Sequence, residues 1–203
     1  GSDGIGFATA QVLLERGADI KKYEVTTNNP VIDFMTTRAS LTPIEQREEI
    51  MQLLLDYDAT PDAIGAFADP PLIEYLKCGE KKMVRLLLEH GAKADALDSS
   101  GFPALHYAIH DQDEEMVALL LQLHADPDLE YQADQRLFNT AAFLGNLPIA
   151  KMLRQAGAKI DGVTSNGMTA LYRACGAEGK NSDIMVEYLL EEKANRVAAL
   201  LHY

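Results

Sequence analysis

Tryptophan is absent from this sequence of 203 residues, and cysteine occurs only twice, as Cys78 and Cys175. Two cysteines cannot form a disulfide framework, and they are typical of free thiols in a reducing compartment. No apolar run approaches the roughly 20 residues that span a bilayer. The first residues also lack the charged start and apolar stretch of a signal peptide. We therefore expect a soluble protein of the cytoplasm, without a membrane span.

Basic residues are also scarce. Lys and Arg number 18 against 31 Asp and Glu, which gives a net charge of −13. Binding to phosphates requires a basic face, so this balance argues against a nucleic-acid partner. Apolar residues make up 47% and charged residues 24% of the chain, which indicates a folded protein with one large domain or two small ones.

A repeated phrase runs through the whole chain. The segment Leu-Leu-Leu-Glu-His-Gly-Ala-Lys-Ala-Asp, residues 86–95, has relatives both before and after it. Its alanine falls at positions 18, 59, 92, 125, 158 and 194, so the three intervals between 59 and 158 are equal. The first interval is eight residues longer than these and the last is three residues longer. A fixed period of about 33 residues indicates a repeat architecture.

A second phrase has the same period. Residues 100–108 read Ser-Gly-Phe-Pro-Ala-Leu-His-Tyr-Ala, and residues 166–174 read Asn-Gly-Met-Thr-Ala-Leu-Tyr-Arg-Ala. With the first phrase, this pattern resembles the ankyrin repeat family, whose repeats begin Gly-x-Thr-Pro-Leu-His-x-Ala and end near Gly-Ala-Asp. The resemblance implies an all-α, ankyrin-repeat solenoid of stacked helix-turn-helix units with short β-hairpin loops.

The two phrases set the expected boundaries of a single array over residues 1–203. We expect the second helix of a repeat at 4–18 and a short C-terminal tail at 196–203. The full repeats between them are predicted at about 24–62, 65–97, 98–130, 131–163 and 164–195. The first of these carries an insertion of eight residues at 38–45, and the last carries an insertion of three residues at 178–180.

The repeat at 98–130 shows why the pattern predicts two helices. Residues 98–101 are turn-forming, and Pro103 is tolerated at a helix start. Residues 111–114 are expected to separate the helices. The buried stripe of the second helix is predicted to consist of Met116, Val117, Leu120 and Leu121. Such a pair of helices cannot bury both of its apolar sides alone, so neighbouring repeats must stack. The repeat at 131–163 lacks the usual start and has residues 134–137 in its place.

The resemblance also implies where a partner binds, because ankyrin arrays hold proteins on a concave face of first helices and hairpin tips. Aromatic residues and Met at an exposed site are typical of interface hot spots. The candidate partner-binding residues are Phe67, Glu74, Phe102, Tyr107, His110, Asp111, Phe143, Leu144, Met168 and Arg173. The alternative interpretation is that several of the apolar side chains pack on neighbouring loops.

We therefore expect a non-catalytic, monomeric scaffold that binds another protein and needs no cofactor or metal. If that protein has a basic surface, the acidic net charge of this chain would steer its approach. The alternative is an ankyrin segment of a larger enzyme or of a bacterial effector, which would act in the host cytosol. The ends keep this alternative open, because residues 4–18 match only half a repeat and neither end carries a clear polar cap, as expected of a segment of a longer protein.

Two enzyme-like patterns compete with this interpretation. The glycines at 4 and 6 resemble the cofactor turn of a short-chain dehydrogenase. Against that interpretation, no strand precedes the glycines and no Tyr has a Lys four residues later. His106 and His110, with Asp111 adjacent, have a spacing that could hold zinc. The resemblance instead assigns His106 to loop hydrogen bonding, and no local motif assembles a catalytic set.

Overall fold

The computed structural model describes residues 11–12, 14–17, 44–62, 69–132, 135–164, 166–177 and 180–192. The chain divides into two compact units, Gly1–Lys93 and Ala94–Tyr203, here called unit 1 and unit 2. In both units the described residues form helices joined by short turns. This agrees with the all-α class expected from the sequence.

Unit 1 contains three helices with complete bounds. They are α1 (Ile44–Asp56), α2 (Pro71–Lys77) and α3 (Lys81–Glu89), and residues 11–12 and 14–15 are also helical. The turn at 78–80 joins α2 and α3 into a helical hairpin, and α1 packs on α3. Their contact is apolar, because the buried side chains include Met51, Leu55, Leu72, Ile73, Met83 and Leu87.

Unit 2 contains six helices and one short hairpin of strands among its described residues. The helices are α4 (Ala104–His110), α5 (Glu114–Gln122), α6 (Leu137–Phe143), α7 (Leu147–Gln155), α8 (Ala170–Cys175) and α9 (Lys180–Glu191). Strands β1 (Glu130–Tyr131) and β2 (Gln135–Arg136) pair antiparallel, with Glu130 opposite Arg136. A single bridge between Leu97 and Pro103 forms the tip before α4.

The helices of unit 2 form two rows. In one row α4 packs on α6 and α6 on α8, and in the other α5 packs on α7 and α7 on α9. We call α4, α6 and α8 the first helices and α5, α7 and α9 the second helices. The core between the rows is fully buried and apolar, and it includes Leu105, Ile109, Leu120, Phe138, Ile149 and Leu153.

Side-chain caps fix the starts of three helices in unit 2. The Asp113 carboxylate accepts the Met116 backbone N–H at 3.1 Å, and the side-chain oxygen of Asn146 accepts the Ile149 N–H at 3.0 Å. The Thr169 hydroxyl accepts the N–H of Tyr172 at 3.2 Å. Each cap satisfies a backbone donor that the first turn of a helix leaves unpaired. These caps set the point at which each helix begins.

An aspartate at a fixed position ties each repeat to the next within a unit. The Asp62 carboxylate accepts the backbone N–H of Lys93 at 2.8 Å in unit 1. In unit 2 the same bond joins Asp95 to the N–H of Asp126 at 2.8 Å and Asp128 to the N–H of Lys159 at 3.3 Å. The three aspartates follow one another at the period of the sequence, which therefore reappears as a ladder of hydrogen bonds.

The structure agrees with the predicted break between helices, because α4 ends at His110 and α5 begins at Glu114. The buried stripe of α5 differs in one residue, since Leu119 is buried whereas Leu121 is half-buried. Helix α5 packs against both α4 and α7, so the side of the helix that carries Leu119 is covered as well.

Several predicted features lie wholly or mostly outside the described residues. They are most of the half repeat at 4–18, the first six residues of the insertion at 38–45, Phe67, and the tail at 196–203. The last two residues of the insertion begin α1. The division into repeats at the stated boundaries stays a prediction.

Candidate functional site

The first helices of unit 2 present one surface, here called the first-helix face. It consists of the exposed and half-buried side chains of α4, α6 and α8, together with the residues that directly follow these helices. Tyr107, Thr140 and Arg173 occupy equivalent positions, one sequence period apart and one on each helix. Each is half-buried, so this row of side chains remains reachable from solvent.

Charge is distributed unevenly between the two rows of helices. Among Asp, Glu, Lys and Arg, the first helices contain only Arg173. Acidic residues lie on the second helices instead, as Glu114 and Glu115 on α5 and as Asp183, Glu187 and Glu191 on α9. The first-helix face is therefore mainly apolar and aromatic, although the chain as a whole is strongly acidic.

Four rings pack together at the α4 end of this face. Phe102 stacks on His106 with ring centres 4.4 Å apart, and its ring lies 6.1 Å from Tyr107 and 6.0 Å from Tyr131. These are ordinary distances for contacting aromatic rings. Phe102 and Tyr107 are consequently half-buried, and part of their predicted binding surface is covered by each other and by Tyr131.

Hydrogen bonds hold this cluster in place. Nδ1 of His106 lies 2.9 Å from the hydroxyl of Tyr131, and the hydroxyl of Tyr107 donates to the carboxylate of Asp98. Asp98 is buried and also accepts the backbone N–H groups of Ser100 and Phe102, both at 2.9 Å. The hairpin tip before α4 is thereby fixed to the helix.

Burial changes the ionisation of two groups in the cluster. Burial lowers the pKa of His106, and the neighbouring His110 lowers it further. Burial raises the pKa of the Tyr131 phenol, while the positive charge of Arg173 acts in the opposite direction. Both rings are therefore neutral near pH 7, and the cluster serves as an uncharged aromatic surface.

The other end of the face carries an exposed ring. Phe143, the last residue of α6, is 44% exposed. The guanidinium carbon of Arg173 on α8 lies 4.8 Å from the centre of this ring, in a cation–π contact. Leu144 follows at the end of α6 and is half-buried. The structure therefore brings Phe143 and Arg173 together, and Leu144 directly follows Phe143 in the chain.

The remaining candidates are dispersed. His110 and Asp111 are exposed at the end of α4, and Nδ1 of His110 lies 3.5 Å from the Asp111 carboxylate. Met168 is half-buried in the hairpin before α8, where its backbone N–H donates to the Thr164 hydroxyl at 3.0 Å. Glu74 belongs to unit 1, where it is half-buried on α2.

Sequence reasoning missed two residues that shape the face. Tyr131 joins the aromatic cluster from β1, and buried Asn139 replaces the histidine of the repeat pattern on α6. The amide of Asn139 donates to the backbone carbonyl of Met168 at 3.3 Å. Positions 106 and 139 are equivalent, one sequence period apart, and this equivalence was the signal that could have identified Asn139.

The enzyme-like alternatives gain no geometric support within the described residues. The rings of His106 and His110 lie 6.2 Å apart, and His106 is hydrogen-bonded to Tyr131. In the part of the chain that the structure describes, no group of three His, Cys, Asp or Glu side chains could hold a metal ion. Most of the glycine-rich start lies outside those residues, and its described residues 11–12 and 14–15 are helical. None of the described helices has the length and apolar character that crossing a membrane requires.

Comparisons with known proteins agree with this architecture. A family model of ankyrin repeats (3 copies) matches residues 39–131, and a second model of ankyrin repeats (many copies) matches residues 139–190. The fold resembles the crystal structure of EF0377, an ankyrin repeat protein, with a TM-score of 0.69 and 23% identity over 83% of each chain. At this identity the likeness shows the fold alone. No curated protein matches the sequence.

Proposed function

This chain belongs to the ankyrin repeat family, and we propose that it is a non-catalytic scaffold that holds a partner protein or peptide on the first-helix face. Ankyrin repeats are generally modules for protein–protein interaction, so the coarse function follows from the family. The particular face and the residues that bind belong to our proposal.

The observation that carries the proposal is the exposed ring of Phe143. This side chain is 44% exposed at the end of a helix whose other phenylalanine, Phe138, is buried in the core. Half-buried Leu144 and Arg173 flank it. An aromatic ring of this kind, fixed by an arginine and surrounded by few charges, has the features of a binding hot spot. His110, Asp111 and Tyr107 would form the periphery of the same contact.

We also propose that the chain acts as a monomer in the cytoplasm and meets a partner with a basic surface. Cys78 and Cys175 are exposed free thiols, which suits a reducing compartment. The net charge of −13 would accelerate the approach of a basic protein. Raising the salt concentration should then slow association, and an association rate that is independent of salt would contradict this part of the proposal.

The binding face can be tested with one variant and one matched control. A partner is captured on the full chain and identified, and its affinity is then measured by calorimetry for Phe143→Ala and Ile184→Ala. Both side chains are exposed in unit 2, but Ile184 is 51% exposed on α9, a second helix. We expect Phe143→Ala to weaken binding by about 2 kcal/mol and Ile184→Ala to leave it unchanged. The reverse result would move the binding site to the second helices.

A further inference from the structure

Arg173 has an unusual position in this acidic chain. It is the single residue among Asp, Glu, Lys and Arg on the first helices of unit 2. Arg47, Arg136 and Arg154 each have a carboxylate within ion-pair distance. Among the described residues, no carboxylate lies at that distance from Arg173, which instead contacts the Phe143 ring. Its charge is therefore not neutralised by a described side chain.

The contact with Phe143 fixes how this guanidinium can act. A guanidinium carries five N–H donors around a flat fork, and an aromatic ring contacts its face and not its edge. The guanidinium carbon lies 4.8 Å from the ring centre, and among the described residues no acceptor is hydrogen-bonded to the guanidinium, so its N–H groups remain available. The ring also restricts the side chain, so less conformational entropy is lost when an acceptor binds.

The surroundings favour an anionic acceptor over a neutral one. The aromatic cluster at the α4 end of the face is uncharged, because burial raises the pKa of the Tyr131 phenol and lowers that of His106. The charge of Arg173 reaches as far as Tyr131, whose pKa it lowers against the effect of burial. Among the helices of unit 2, only the second helices α5 and α9 carry carboxylates, and the first helices carry none. Arg173 is thus the one charged side chain of the first helices, although the net charge of the chain is −13.

We propose that the patch of Phe143, Leu144 and Arg173 binds a peptide segment in which an Asp or Glu stands next to a bulky apolar residue. The carboxylate accepts two N–H bonds from Arg173, a paired geometry that arginine favours. The apolar side chain packs on Phe143 and Leu144. This inference rests on the proposed function and adds the chemistry of the bound segment. A basic partner surface, attracted by the net charge, would lie outside this contact.

The test uses selection from a library of random short peptides displayed on phage, with the full chain as target. Three targets are compared: the unchanged chain, Arg173→Glu and Arg85→Glu. Arg85 is exposed on α3, a helix of unit 1, and its reversal changes the net charge by the same amount. We expect the unchanged chain and Arg85→Glu to enrich one motif with an acid beside a Leu, Ile, Phe or Trp. With Arg173→Glu, we expect Lys or Arg in place of the acid.

The affinity of the chain is then measured for a synthetic peptide that carries the enriched motif. Its Kd should rise at least about tenfold, roughly 1.4 kcal/mol, when its acid is replaced by Gln or when the chain carries Arg173→Gln. The melting temperature of each variant is compared with that of the unchanged chain, so that unfolding is not mistaken for lost binding. Arg173→Lys should recover only part of the affinity, because an ammonium lacks the paired donors.

Three results would overturn the inference. They are enriched peptides without an acid, an acid that is retained with Arg173→Glu, and a phosphoserine peptide that binds more than tenfold tighter than its glutamate form. If the peptides in these cases still lose affinity with Phe143→Ala, the proposed function stands. If no enriched peptide loses affinity with Phe143→Ala, the proposed face and this inference are both wrong.

Discussion

Nδ1 of His106 lies 2.9 Å from the hydroxyl oxygen of Tyr131. This contact joins helix α4 to strand β1, which precedes the next first helix, α6. The ring of His106 is also stacked on Phe102 at 4.4 Å. Burial is the largest cause of its lowered pKa, and His110 adds to it, whereas Asp98 and Asp111 oppose it. Protonation of His106 therefore conflicts with the packing of the cluster.

This conflict predicts a dependence of stability on pH. In the unfolded chain, a histidine has a pKa of about 6.5, which is higher than in the folded chain. Between the two values the unfolded chain binds more protons, so the free energy of unfolding falls as the pH is lowered through this range. His106→Asn, chosen because Asn139 occupies the equivalent position, should reduce this fall. Urea unfolding between pH 7.5 and 5.5 measures it.

His124→Asn is the matched control for this experiment. His124 is exposed and has φ of 69°, a left-handed conformation that asparagine tolerates. This variant should keep the pH dependence of the unchanged chain. If the His106→Asn chain loses as much stability with falling pH as the unchanged chain does, groups other than His106 cause the effect.

Arg136 predicts a second measurable effect, because it links the hairpin of strands to the following loop. Its guanidinium pairs with Glu130 across the hairpin, lies 3.4 Å from Asp128, and donates to the carbonyl of Val163 at 3.3 Å. The side chain is only 16% exposed. Arg136→Ala should lower the free energy of unfolding by about 1–3 kcal/mol, since it removes hydrogen bonds made by a charged and largely buried donor.

The comparison for this variant is Arg154→Ala. Arg154 is 41% exposed, lies 3.7 Å from Glu192 in an ion pair at the surface, and makes one further hydrogen bond, to the Ala158 carbonyl at 3.3 Å. Such pairs contribute about 0–1 kcal/mol, so we expect a smaller loss in chemical denaturation. Equal losses in the two variants would mean that the contacts of Arg136 add nothing beyond an ordinary surface pair.

Two glycines of unit 2 allow backbone strain to be separated from packing. Gly157 has φ of 114°, and nothing lies within 4 Å of the position that a Cβ would take. Gly157→Ala should therefore cost about 1 kcal/mol through conformation alone. Gly176 has φ of −85°, and its Cβ would lie an ordinary 3.7 Å from the Tyr172 carbonyl.

We expect Gly176→Ala to be neutral or slightly stabilising, because alanine adopts this conformation and the unfolded chain loses freedom. Calorimetric melting of the two variants measures the difference. Destabilisation of the same size in both would indicate that packing, and not the left-handed conformation, determines the cost.

The regular period of the sequence was sufficient to predict the ankyrin fold class, which the family matches confirm. It also located the turn between α4 and α5, whereas the bounds of the repeat at 131–163, whose usual start is missing, stay a prediction. The sequence did not show what replaces that start. In the structure, Arg136 stabilises this segment through its contacts with Asp128, Glu130 and Val163. These partners are brought to Arg136 by the path of the chain around the hairpin.

The sequence by itself determined the helical pairs and their period, because helix periodicity, caps and turns depend on residues within a few positions of each other. It also assigned candidate residues to the first-helix face, and their role in binding stays a prediction. Only the tertiary structure decided that Phe102 and Tyr107 are half-buried in an aromatic cluster while Phe143 stays 44% exposed under Arg173. Exposure at these positions depends on side chains that are distant in the sequence, such as Tyr131 for Phe102 and Arg173 for Phe143, and that come together only when the repeats stack.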